Sequence, residues 1–179
     1  MENFVLEDHF ESHITLVKHH LHGLVVQKRY RQEHHCVAWL NTVLKPYYPD
    51  DRFLPIAQHE ARALLLLSQY GISPKLIEYS FDSVVMEFAG TPITKDSSIL
   101  IKNYEILASR IINLFVEIGF KHNDLLPRNV LLHDGVIKLI DFTLSEFNDI
   151  KFMALLPNSK WARYGEDYNL LNYGKLYLV

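Results

Sequence analysis

The stretch HNDLLPRNVLLHDGVIKLIDF, residues 122–142, decides how the rest of the chain is read. Val130 to Leu132 lead into His133-Asp134-Gly135, and Val136 to Ile140 lead out again. Asp-Gly between two apolar runs is a strong hairpin signal. A tight turn brings Asn129, at the entrance, close to Asp141, at the exit. Asp124 lies just upstream, in a segment that Pro127 keeps from being helical. Three oxygen-bearing side chains therefore converge on one end of one hairpin. That arrangement costs desolvation unless a cation or a reacting group is there to meet it.

Working outward, the 179 residues amount to about one domain with enough apolar content for a core. The net charge of −3 gives no reason to expect nucleic acid or a membrane as partner. No apolar run is long enough to span a bilayer. The opening MENFVLEDHFESH carries acids and histidines where a signal peptide would be apolar. The single cysteine, Cys36, fits a reducing compartment, either the cytoplasm or a host cytosol reached by a secreted effector. Ten histidines invite a metal reading. The adjacent pairs His19/His20 and His34/His35 are expected to diverge, which favours surface or core roles.

Residues 14–20 and 24–30 read as strands around Leu21-His22-Gly23, and 34–45 as a short helix. After Pro55, IAQHEARALLLLSQYG predicts a long helix with Gly71 at its C-terminal cap. KLIEYSF and SVVMEF predict a hairpin across Asp82-Ser83. Tyr104, Leu107, Ala108, Ile111, Ile112, Phe115 and Ile118 keep helical spacing, with Ser97 or Ser98 to start that helix and Gly119 to end it. A loop around Pro157 and a helix from Gly165 complete the tail. The expectation is a β-rich half and a helical half joined near residues 88–91, the carboxylate hairpin facing the seam.

An Asp, an Asn five residues on and an Asp beyond the hairpin suit phosphoryl transfer from a nucleotide. Asn129 and Asp141 would hold Mg²⁺. Asp124 would accept the proton of the attacking hydroxyl. At this point the sequence resembles the protein kinase-like superfamily. His122-Asn-Asp124-Leu-Leu-Pro-Arg-Asn129 matches H-x-D-x-x-x-x-N, and Asp141-Phe142-Thr143 stands where the family has D-F-G. The resemblance implies an α+β, bilobal protein kinase-like fold: one minimal domain over 1–179, with a small β-rich N-lobe (1–88) and a truncated helical C-lobe (89–179). It further implies that Lys28, in Val25-Val26-Gln27-Lys28, meets the ATP phosphates and pairs with Glu60. Met86 becomes the gatekeeper, and the backbone of Glu87 and Ala89 meets the adenine edge. The small atypical kinases of the RIO and KEOPS-subunit type look close, as do miniature bacterial effector kinases. HNDLL is similar to the loop of choline and ethanolamine kinases.

The pattern departs from the family in four places. No glycine-rich phosphate loop is visible, so either another segment, around Asp8–His13, closes over the phosphates or nucleotide binding is weak. Thr143 replaces a glycine and stiffens its backbone. Asn123 replaces an arginine, and Leu126 a lysine. Asp167 is the expected buttress of the catalytic loop. The leading expectation is an ATP- and Mg²⁺-dependent Ser/Thr protein kinase with a protein substrate and an activating protein partner. The alternatives are a sugar or amino-alcohol kinase, and a pseudokinase or ATPase that regulates a partner.

Overall fold

The computed structural model describes residues 3–8, 11–93, 104–133 and 136–152. The backbone forms two compact units, Met1–Phe88 and Ala89–Val179.

The first unit runs β1 (Asn3–Asp8), β2 (Ser12–His19), β3 (Gly23–Tyr30), α1 (His35–Leu44), α2 (Pro55–Ser68), β4 (Leu76–Tyr79) and β5 (Ser83–Glu87). Its strands form one antiparallel sheet in the order β1-β2-β3-β5-β4. The interior position of β5, between β3 and β4, agrees with its sequence. Ser83 to Met86 are all buried, as a strand flanked on both edges and covered on both faces requires. Lys28 lies between Ile14 of β2 and Val84 of β5. Strand β1 went unread in the sequence, although Phe4-Val5-Leu6 is a short apolar run; its flanking acids masked it. The β4–β5 hairpin forms as expected, with β5 starting at Ser83, but its turn falls one residue earlier than Asp82-Ser83: Ser80 N–H donates to the Ser83 carbonyl (2.8 Å) and the two hydroxyls lie 2.7 Å apart.

Helix α2 buries the stripe Ile56, Glu60, Ala63, Leu64 and Leu67. Pro55 occupies its first turn, where a missing N–H costs nothing. The Ile56 N–H, otherwise orphaned, donates to Asn41 Oδ1 of α1 (3.0 Å). Gly71 (φ +73°) closes the helix as expected, with Ile72 N–H on Leu67 O and Gly71 N–H on Ser68 O. The adjacent histidines do not diverge. The rings of His34 and His35 lie 4.5 Å apart and those of His19 and His20 4.6 Å apart, because each pair straddles the end of an element where the backbone changes course.

The second unit contains β6 (Thr91–Pro92), α3 (Tyr104–Ile118), a 3-10 turn (Pro127–Asn129), β7 (Val130–His133) and β8 (Val136–Leu139). The three strands pair in the order β6-β7-β8. His133 opposite Val136 leaves a two-residue connection, as Asp-Gly predicts; that dipeptide itself lies outside the described residues. Helix α3 buries Ala108, Ile111, Ile112 and Phe115. Gly119 (φ +64°) terminates it, with Phe120 N–H on Phe115 O (2.9 Å). Phe120 then packs edge-on to Phe115, Phe142 and Phe147, at centroid distances of 4.9, 6.1 and 5.4 Å. The expected caps Ser97 and Ser98, the loop at Pro157, the helix from Gly165 and Asp167 also lie outside the described residues.

Candidate active site

The first unit holds one group of candidate residues. Strand periodicity puts Lys28 and Tyr30 on the same face of β3. Glu60 occupies a position on the buried stripe of α2 where an apolar residue would otherwise sit. A fully buried carboxylate must be paired to be tolerated. Lys28 Nζ donates to Glu60 Oε2 at 2.9 Å, with side chains 8% and 0% exposed. The Tyr30 hydroxyl donates to the same oxygen. The Lys28 ammonium also lies 5.2 Å from the centre of the Tyr30 ring. Glu60 Oε1 is buried and accepts no hydrogen bond among the described residues. Tyr30 was missed in the sequence, and the signal that could have found it is its place two residues after Lys28.

At the end of the same sheet, Met86 is buried in β5 and Glu87 closes the strand. The Glu87 N–H donates to Lys75 O (3.0 Å), so a hinge contact through Glu87 falls to its carbonyl. Ala89, buried, begins the second unit.

The second unit holds the carboxylate hairpin. Asp124 is 6% exposed and Asn129 3% exposed. The Asn129 amide nitrogen donates to the Asp124 carbonyl (2.8 Å) and to Asp124 Oδ2 (3.0 Å). Both donors of the amide thus face Asp124, and its oxygen accepts no hydrogen bond among the described residues. Two ties bind this loop to the strand exit. Ile140 N–H donates to Asn129 O (3.0 Å), and His122 Nε2–H donates to Ile140 O (3.0 Å). A carbonyl only accepts, so the proton sits on Nε2. Nδ1 then faces the Asp124 N–H at 3.4 Å. Asp141 is the next residue along the chain, one step beyond both ties.

Two side chains here hold left-handed backbone, Asn123 (φ +64°) and Asp141 (φ +62°). Asn and Asp tolerate that region better than other L-residues, and such backbone concentrates at functional sites. The Asn123 amide donates to Leu144 O (2.9 Å), which explains an asparagine where the resemblance expects arginine. The Thr143 hydroxyl donates to Asp141 Oδ1 (3.0 Å). Thr143 therefore does more than stiffen the chain: it aims the carboxylate. Arg128 was not singled out in the sequence. Its guanidinium is half exposed and touches Asp124 Oδ2 at 3.4 Å.

Asn129 and Asp141 supply hard oxygen donors, and the amide nitrogen of Asn129 is already taken up by Asp124. That set fits Mg²⁺, which prefers oxygen and takes few protein ligands. Lys28 and Glu60 are brought together in one unit, and Asp124 and Asn129 in the other, with Asp141 one residue past the Ile140 N–H that bonds the Asn129 carbonyl.

A family model of the RIO domain matches residues 9–148, well over half of the chain. No curated protein matches it. The match takes in β2 to β5, both helices of the first unit and the whole carboxylate hairpin. With a mixed α+β architecture of the small kinase-like kind, the chain belongs to the RIO domain family, an atypical branch of the protein kinase-like superfamily.

Proposed function

We propose that this chain transfers the γ-phosphate of ATP to a hydroxyl in a Mg²⁺-dependent reaction, with a Ser or Thr side chain of a protein as acceptor. The observation that supports this most directly is the orientation of Asn129. Its amide nitrogen is occupied by Asp124 on two sides, which leaves an oxygen, the atom a hard cation needs. Asn129 and Asp141 would hold the metal, and Thr143 keeps the Asp141 carboxylate aimed. When bound, Mg²⁺ neutralises the phosphate oxygens during transfer. Asp124 accepts the proton of the acceptor hydroxyl. The tie from His122 to Ile140 keeps that carboxylate in register with Asp141.

Lys28 would meet the α- and β-phosphates of ATP. Glu60 and Tyr30 fix the ammonium in place, so its position does not have to be organised when ATP binds. The adenine would meet Met86 and the carbonyl of Glu87, whose N–H is already taken by Lys75 O.

A second reading changes only the acceptor. Arg128 presents a half-exposed guanidinium next to Asp124. A planar fork of donors suits an acceptor that carries a carboxylate or phosphate beside its hydroxyl. An acidic sugar fits that feature better than a cationic amino-alcohol.

The test is ADP release from Mg-ATP by wild type and Asp124→Ala, with and without a generic protein acceptor. Turnover should drop by roughly 100- to 10,000-fold in the variant, the range a general base supplies. Acceptor-dependent release supports the protein reading; transfer confined to an anionic metabolite supports the second. Equal turnover in wild type and Asp124→Ala would refute the assigned role. Tight ATP binding without any turnover would point to regulation of a partner instead.

A further inference from the structure

Where β3 leaves the sheet and α1 begins, three consecutive residues bring together nitrogen and sulfur ligands that the phosphotransfer chemistry does not use. His34 precedes α1 with an extended backbone (φ −75°, ψ 129°), and its side chain makes no capping hydrogen bond. His35 is the first helical residue. The change from extended to helical backbone between them turns both rings to one side, at 4.5 Å and 40°. Cys36 follows, and its Sγ lies 3.3 Å from His35 Nε2. Ligand atoms of all three residues fall within 4.8 Å of one another, the one such group of His, Cys, Asp or Glu side chains among the described residues.

The cluster lies off the buried face of α1. The buried face of α1 is Val37, Leu40 and Leu44, while His35 is exposed and His34 and Cys36 are half buried. The site is therefore open to solvent on one side and backed by the helix start on the other. We infer that His34, His35 and Cys36 form a binding site for a thiophilic divalent cation of the zinc type.

The chemistry of the donors selects the ion. Two imidazoles and a thiol contain no hard oxygen, which excludes the Mg²⁺ and Ca²⁺ class. Zinc takes nitrogen at about 2.0–2.1 Å and thiolate sulfur at about 2.3 Å, which places tetrahedral ligands roughly 3.3–3.6 Å apart. The Cys36–His35 pair already has that spacing. The widest pair closes with about an ångström of side-chain rotation, well within rotamer freedom at a half-exposed site. On binding, the thiol loses its proton to solvent and each imidazole offers a neutral nitrogen. Three protein ligands leave a fourth position for water. The metal would pin the first turn of α1, the helix whose Asn41 caps α2.

The experiment is a cobalt titration of the purified full chain, followed by displacement with zinc. The expected result is one equivalent of Co²⁺ with a near-ultraviolet sulfur-to-metal charge-transfer band, abolished in Cys36→Ser. Zinc affinity, measured against a chromophoric chelator, should fall at least about tenfold in His35→Ala and in His34→Ala, since even outer-shell changes cost that much in metal sites. A His19→Ala/His22→Ala variant should keep both the band and the affinity. Circular dichroism of Cys36→Ser should match wild type, because the swap is nearly isosteric at a half-buried position. Absence of the band in wild type, or equal zinc affinity in wild type, Cys36→Ser and His35→Ala, would overturn the site. One cobalt per two chains would also overturn it, by making the metal a bridge between molecules.

Discussion

Glu60 shows how much one residue can demand of its surroundings. A carboxylate with no solvent exposure on the apolar stripe of α2 is tolerated only because Lys28 and Tyr30 both donate to Oε2. Lys28→Met should destabilise the protein by roughly 3–5 kcal/mol, since it leaves a buried charge without its counter-ion. Lys28→Met/Glu60→Leu should recover most of that loss. Urea denaturation of the three proteins checks both, and a double variant no more stable than the single one would show that the charge is not what costs. Tyr30→Phe removes one donor and should cost about 1.5–3 kcal/mol, the range for a hydrogen bond to a charged group. A different balance holds at Asp50, on the surface. Its carboxyl lies at about 2 rather than 3.8, held there first by the Arg52 side-chain hydrogen bonds and then by the Arg52 backbone N–H. The folded value lies below the unfolded one, so this contribution is present above about pH 4 and fades as pH falls towards 2. In Arg52→Ala the Asp50 midpoint should return towards 3.8, read by NMR titration of the carboxyl carbon.

The two long helices end by the same device, a left-handed glycine with paired backward hydrogen bonds, but the two glycines are not equally replaceable. A Cβ on Gly71 would meet open space, so Gly71→Ala carries only the backbone strain of φ +73°. That should cost roughly 1–2 kcal/mol. A Cβ on Gly119 would also collide with the Asn148 side chain. Gly119→Ala should therefore lose more than Gly71→Ala, and Gly119→Ala/Asn148→Ala should close the gap between them. Thermal unfolding of the set decides it, with equal losses in the two single variants contradicting the steric part. The loop at 122–129 depends on a longer-range tie. His122→Phe keeps the ring volume but leaves the part-buried Ile140 O without its donor, at a cost of about 0.5–1.5 kcal/mol. Because Ile140 precedes Asp141, turnover in that variant should fall by more than its stability loss explains, measured well below its unfolding temperature.

For the molecule as a whole, a ligand that binds only the folded state must stabilise it by mass action. At 100-fold over its dissociation constant, Mg-ATP should add about 2.7 kcal/mol to the stability of wild type. The gain should shrink in Asp141→Ala when Mg²⁺ is present and differ little from wild type when it is not, a comparison that thermal shift can make. What the sequence determined alone was local. The 122–142 stretch carries its own turn, its own strand pair and the fixed spacing of Asp124, Asn129 and Asp141, so neighbouring residues suffice to read it. The ends of α2 and α3 were legible for the same reason, because a glycine cap acts within one helical turn. Tertiary structure decided the rest. Lys28 and Glu60 are 32 residues apart. Only the packing of α2 against the sheet brings them to one point and adds Tyr30 to the pair. Pairing with β2 is what makes a strand of β1, whose few apolar residues carry too weak a period to show it. The gathering of His34, His35 and Cys36 depends on a change of backbone course between adjacent residues, and a pattern of residue types does not encode such a change until the element boundary is known.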